Sequence, residues 1–205
     1  MTVNRKPAPS EYQPKEFSFT AKNLELAKKE LGKYPKNRKA SAVIPLLDIA
    51  QRQNSNWLPI AAINYVADFL EMPRIRAYEV ATFYTMYNLA PVGKNLIQIC
   101  TTTPCALRGS KEIVDVCKKR LNIDFGETTN DNKFTLLEVE CLGACVNAPV
   151  AWIGDEYYED LSKESMDSII DQLKKGELRV SPGSQIGRNG SMPMGQRNSL
   201  LDEGK

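Results

Sequence analysis

Two stretches decide how this chain reads: LIQICTTTPC (96–105) and FTLLEVECLGACVNAP (134–149). In each, a short apolar run of strand character leads into a cysteine, and a second cysteine follows after a short loop. The spacings are C-x4-C for Cys100 and Cys105 and C-x3-C for Cys141 and Cys145. These are four of the five cysteines, and the chain contains no histidine. Without an imidazole there is no Ser-His-Asp or Cys-His catalysis. His-ligated zinc, non-haem iron and Rieske-type centres are excluded too.

What remains for these sulfurs is an all-cysteine iron–sulfur cluster, an all-cysteine zinc site, disulfides or plain thiols. If the two strands are neighbours, their loops emerge side by side and four sulfurs converge. Thr101, Thr102 and Thr103 follow the first cysteine, and Gly143 and Ala144 lie between the second pair. Small residues let backbone N–H groups approach a cluster, and Gly143 can take a positive φ. Four-thiolate zinc sites commonly use two-residue gaps, and neither gap here is two. The wider loops favour a dinuclear [2Fe–2S] unit with one pair on each iron, as plant-type ferredoxins also use a four-residue gap. Zinc and disulfide or thiol readings stay open on spacing alone. Cys117 lies on a helical stripe with Ile113 and Leu121 and reads as a small buried core thiol.

Working outward, residues 106–122 read as one amphipathic helix, 150–154 and Tyr157–Tyr158 as short strands, and Ser162 to about Lys175 as a helix with Met166, Ile169, Ile170 and Leu173 inside. The order β-α-β-β-α indicates a thioredoxin-like layer, and the fold class is α+β. Upstream, from Thr20 to about Asn88, the period is helical. Thr20 caps Leu24, Ala27 and Leu31; Ser41 precedes Val43, Leu46, Leu47 and Ala50; Asn56 caps Ile60, Ile63, Ala67 and Leu70; Pro73 starts Ala77, Val80, Ala81 and Tyr84. Four stripes needing partners make a helical bundle. Residues 1–19, with Pro7, Pro9 and Pro14, form an extended arm, and 181–205 collapse to Gly, Ser, Pro, Asn and Arg, a tail that composition alone reads as disordered. The expected domains are therefore 1–19, 20–92, 93–180 and 181–205.

The net charge of +2 gives no argument for nucleic acid. No apolar run approaches the ~20 residues of a membrane span, so membrane association is expected through partners. The first residues, MTVNRKPAPSEYQPKEF, lack an apolar signal core, which with an odd cysteine count argues for a reducing compartment. No G-x-G-x-x-G or phosphate-binding loop is present.

The same residues resemble a family. The signature D-x-x-F-[ST]-x5-C-L-G-x-C-x-x-[GA]-P is met by Asp131, Phe134, Thr135, Cys141, Leu142, Gly143, Cys145, Ala148 and Pro149. With AYEVATFYTMYNLAPVGK (77–94), LDIAQRQNSNWLP (47–59) and YYEDL (157–161), it resembles the E-type [2Fe–2S] subunits of respiratory complex I, NADH:ubiquinone oxidoreductase, in their mitochondrial and alphaproteobacterial branch. The resemblance covers about residues 17–180. It implies an N-terminal helical bundle and a thioredoxin-like domain with one [2Fe–2S] cluster on Cys100, Cys105, Cys141 and Cys145. It implies no NADH or quinone site in this chain, with FMN and NADH in a neighbouring subunit that exchanges an electron with the cluster. The implied partners are that flavin-bearing subunit and the multi-cluster iron–sulfur subunit. The implied location is the matrix side of the mitochondrial inner membrane, or the cytoplasmic side of a bacterial one. The stretch GSQIGRNGSMPMGQRNSL (183–200) resembles the extension this branch lays over its flavin-bearing partner. Subunits of soluble NAD-linked hydrogenases or formate dehydrogenases, a free-standing thioredoxin-like ferredoxin and a structural zinc module are the competing classes.

Other features have plainer readings. Tyr78, Phe83, Tyr84 and Tyr87 read as core packing or a docking surface. Trp57 and Trp152 read as packing anchors, Glu156, Glu159 and Asp160 as a solvated turn, and Lys118–Arg120 as the outer face of a helix.

Overall fold

The computed structural model describes residues 6–176 and 179–193. The chain divides into two compact units at the Lys94/Asn95 boundary. Among the described residues, no helix is long and apolar enough to cross a membrane. The first five residues of the arm and the tail beyond 193 lie outside the described residues.

The first unit is the expected bundle. Helix α1, Ala21–Leu31, starts where the Thr20 hydroxyl accepts from Asn23 N–H. A 3-10 stretch, Lys36–Ala42, leads into α2, Val43–Gln53; α3 is Ile60–Phe69 and α4 is Arg74–Phe83. Their apolar stripes meet in one core around Leu46, Leu47, Ala50, Ile63, Val66 and Ala77. A fully buried Leu or Ile stabilises by roughly 1.5–3 kcal/mol, so this interior holds the helices together.

Four expectations for this unit are corrected. Asn56 does not cap α3: it lies in a left-handed turn, φ 64°, and Pro59 occupies the cap position. The α3 stripe is Ala62, Ile63, Val66, Ala67 and Leu70, with Ile60 exposed. Tyr84 lies past the end of α4 and is exposed. The arm is not merely extended, since Ala8 donates to the Leu89 carbonyl and Phe19 is buried in the core.

The second unit is a five-stranded mixed sheet in the order β2-β1-β3-β4-β5. The strands are β1, Asn95–Cys100; β2, Phe134–Val139; β3, Ala151–Ile153; β4, Glu156–Glu159; and β5, Gly183–Ser184. β1 and β2 run parallel; β3 is antiparallel to β1 and to β4. The apolar stripe of 106–122 reads as one helix, but the structure has two, α5 (Thr103–Leu107) and α6 (Ser110–Leu121). Gly109 separates them at φ 98°, a conformation an L side chain rarely adopts. Helix α7, Lys163–Lys175, begins with a capping box between Ser162 and Ser165 and ends at Gly176. α6 and α7 bury Ile113, Cys117, Met166, Ile169 and Ile170 with Ile97, Ile99 and Leu136 of the sheet.

The charged residues of this unit are less solvated than expected. Arg120 reaches from α6 to Asp167 and Asp171 of α7, and Lys118 sits over the Phe125 ring. Asp160 is buried rather than in a solvated turn, paired with Arg188. The tail begins inside the fold: β5 pairs in parallel with β4, joining Gly183 to Tyr158 and Ser184 to Glu159.

Candidate metal centre

The parallel pairing of β1 and β2 places the two cysteine loops. Their register ends with Cys100 beside Val139, so both chains leave the sheet at the same level. Cys100 closes β1 and Cys105 lies in α5, both almost wholly buried. Cys141 follows β2 and is exposed; Cys145 opens a short 3-10 turn, Cys145–Asn147. The two buried thiols pack with Ala148 and Val150, and Leu142 and Ala144 of the second loop lie against them. Ala148–Pro149 is a cis peptide.

In the second loop two sulfurs form a close pair. Cys141 Sγ and Cys145 Sγ are 3.2 Å apart, and the neighbouring Cys105 thiol helps lower the pKa of Cys100. Negative charge on Cys100 acts on Cys105, Cys141 and Cys145, so the four thiols lie within electrostatic reach of one another. Among the described residues, no three His, Cys, Asp or Glu side chains are arranged around a single ion position. Cys117 stands apart on α6, where burial pushes its thiol up to about 12.

The environments of the four thiols differ. Burial pushes Cys105 up to about 12, and the neighbouring Cys100 adds to this. Burial acts the same way on Cys100, but hydrogen bonds from Thr102, Cys105 and the Leu142 N–H outweigh it and lower its pKa. Cys141 is lowered by the Cys145 thiol and the Gly143 N–H, while Cys145 is raised by Cys141. Clustered thiols oppose one another's ionisation, and bound cationic metal removes that opposition by deprotonating them. A pair-and-pair set of thiolates fits a two-iron group, which needs two sulfurs on each iron.

Nearby groups hold the loops. Thr102 Oγ1 lies 3.2 Å from Cys100 Sγ, and the Gly143 N–H donates to Cys141 Sγ at 3.4 Å. Gly143 has φ 84°, the positive value its tight loop calls for. Thr101 Oγ1 donates to Glu138 Oε1 at 2.7 Å, latching the end of β1 to the end of β2. Glu138 and Asn147 carry no sequence signal, because nothing in strand or loop periodicity marks a polar side chain that ties one loop to another.

The aromatic set divides. Tyr87 is core, donating to the Ile44 carbonyl at 2.8 Å, whereas Phe83 is 76% exposed. Trp57 is buried, and Trp152 packs edge-on to Tyr157.

A mixed sheet flanked by α6 and α7, with paired thiols on the loops that leave its parallel strands, defines a thioredoxin-like cysteine protein. The model for thioredoxin-like [2Fe-2S] ferredoxins matches residues 27–174. The E-type subunit of NADH-quinone oxidoreductase from Rickettsia bellii is 64% identical over 158 residues, covering 77% of this chain and 95% of that protein. NADH dehydrogenase [ubiquinone] flavoprotein 2, mitochondrial, of Dictyostelium discoideum is 54% identical over 167 residues, 81% of this chain and 68% of that protein. The chain belongs to the thioredoxin-like [2Fe-2S] ferredoxins and, within them, to the E-type subunits of NADH-quinone oxidoreductase. An NAD+-reducing [NiFe]-hydrogenase in its H2-reduced state shares the fold, with TM-score 0.55 at 19% identity over 63% of this chain. The match spans 22% of that hydrogenase chain.

Proposed function

We propose that this chain is an electron-transfer subunit of NADH:quinone oxidoreductase, respiratory complex I. It carries one [2Fe–2S] cluster on Cys100, Cys105, Cys141 and Cys145. The observation that supports this reading is the parallel pairing of β1 and β2, which brings the two cysteine loops out of the sheet at one level, in a chain 64% identical to an E-type subunit of that enzyme.

When bound, the cluster supplies one-electron chemistry at a low potential, nearer the plant-ferredoxin value of about −400 mV than the Rieske range, because every ligand is an anionic thiolate. The chain's own residues do the rest. The two buried cysteines and their apolar neighbours keep water from one side of the site. Cys141 lies at the surface, so one pair of sulfurs faces outward. Thr102 and the Gly143 N–H supply hydrogen bonds to sulfur, which tune potential.

The outward side suits exchange of an electron with FMN in a neighbouring NADH-oxidising subunit. The multi-cluster iron–sulfur subunit is the second partner. Hydride chemistry then belongs to the partner, consistent with a chain that lacks histidine. The assembly lies in the peripheral arm, on the matrix side of the mitochondrial inner membrane or the cytoplasmic side of a bacterial one. The domains are proposed to run 1–19, 20–92, 93–180 and 181–205, the last packing on the flavin-bearing subunit; its part beyond residue 193 lies outside the described residues.

Affinity purification of the tagged chain under mild detergent tests the assembly. The expected result is recovery of a flavin-containing NADH dehydrogenase together with membrane-spanning subunits. Recovery of a hydrogenase or formate dehydrogenase, or of the chain alone, contradicts it.

A further inference from the structure

Asn147 stands two residues beyond Cys145 and is 4% exposed. Its side-chain nitrogen donates to Glu159 Oε2 at 2.6 Å and to the Gly190 carbonyl at 2.9 Å. Its backbone is held as well. The Asn147 N–H donates to the Ala144 carbonyl at 3.0 Å, and the Asp160 N–H donates to the Asn147 carbonyl at 2.6 Å. The loop that carries Cys145 is thus tied to the end of β4 and to a residue 43 positions further on.

That later segment is itself clasped to the sheet. The Gln185 N–H donates to the Glu159 carbonyl at 2.9 Å, next to the β4–β5 pairing. Ser184 Oγ donates to Asp160 Oδ2 at 2.7 Å. Arg188 Nη2 lies 3.1 Å from Asp160 Oδ1, with their side chains 12% and 3% exposed. Removing one partner of such a buried pair leaves an uncompensated charge, so the pair holds one arrangement of the tail.

The geometry points to Asn147 as a positioning residue for the Cys145 side of the metal centre, with Asp160 and Arg188 as the clasp that brings the tail to it. This rests on the proposed four-cysteine ligand set. Ligand loops keep their geometry only when neighbouring groups fix them, and loss of such support typically weakens metal retention about 10–100-fold. Here the support comes from residues 184–190, a stretch whose composition reads as disordered.

The test uses the full chain loaded with iron and sulfide, comparing Asn147→Asp, Arg188→Ala, Arg188→Lys and Ile170→Val. Ile170 lies in the other core cluster of the unit and serves as a destabilised comparator. The readouts are the reduced-state EPR spectrum and the rate of iron release to a chelator. Asn147→Asp keeps the shape but replaces the donating amide with an acceptor facing Glu159. It and Arg188→Ala are expected to change the EPR g-values or line shape and to release iron about tenfold faster. Arg188→Lys is expected to recover part of the loss. Ile170→Val is expected to lower the melting temperature and alter neither readout. If Asn147→Asp does not fold, Arg188→Ala decides alone. Wild-type spectra and release rates in the Asn147 and Arg188 variants overturn the proposal, as does an equal change in Ile170→Val. A wild-type chain that takes up no iron overturns the ligand set itself, and the inference with it.

Discussion

Cys100, the last residue of β1, lies beside Val139, the last residue of β2, in parallel register, two positions before Cys141. The meeting of the two cysteine loops is therefore a consequence of strand pairing, and the core beneath the strands should govern the proposed metal centre. Ile99 is fully buried one residue before Cys100. Ile99→Ala is expected to destabilise the second unit by about 2–5 kcal/mol. Urea unfolding followed by far-UV circular dichroism measures this, and a loss under about 1 kcal/mol would contradict the packing described.

Gly143 presents a separable case. Its φ is 84°, and a Cβ added there would meet nothing within 4 Å. The cost of Gly143→Ala is thus conformational, roughly 1–2 kcal/mol, with the N–H to Cys141 retained. Thermal melting should register the loss while iron uptake persists. Loss of iron binding with unchanged stability would point to a direct role for the glycine instead.

Thr102 places a hydroxyl 3.2 Å from Cys100 Sγ. A hydrogen bond to a ligand sulfur disperses its negative charge and favours the reduced state. Thr102→Val is expected to shift the midpoint potential downward, read by EPR-monitored redox titration. An unchanged or raised midpoint would remove Thr102 from the set of tuning groups.

In the bundle, burial raises the pKa of Tyr87, and the negative charge of Asp48 adds to the effect. The folded phenol then holds its proton more tightly than the unfolded one, whose pKa is near 10. Its contribution is fully present below about pH 10 and is lost as pH rises above that toward the folded value. Tyr87→Phe also removes the hydroxyl donor to the Ile44 carbonyl, at a cost of about 0.5–1.5 kcal/mol at neutral pH. Melting curves from pH 8 to 12 should show a steeper alkaline decline in the wild type than in the variant. Parallel declines would contradict the assignment.

Much of this was legible from residue order. The Thr20 and Ser162 caps, the stripe of α2, both cysteine strands and the buried Cys117 follow from local spacing, which local physics sets. The break at Gly109 was not, because the apolar stripe continues across it and only the backbone angle marks the turn. Nor was the burial of Asp160. A carboxylate beside Glu156 and Glu159 looks solvated until Arg188 arrives from the tail, a long-range pairing that no periodicity encodes. The described part of the tail misleads for the same reason: Gly, Ser and Asn lower its propensity for regular structure, yet a two-residue strand, a buried ion pair and the hydrogen bonds of Ser184, Gln185 and Gly190 hold it.

The central claim is that four cysteines hold one two-iron cluster, and elemental analysis with EPR on single Cys→Ser variants tests it most directly. The wild-type chain is expected to bind iron and acid-labile sulfide in equal amounts, without stoichiometric zinc, and to give a [2Fe–2S] EPR signal on reduction. Replacing Cys100, Cys105, Cys141 or Cys145 in turn should abolish or shift that signal, while Cys117→Ser leaves it unchanged. Zinc in place of iron, or an unaltered signal in Cys141→Ser, would contradict the account.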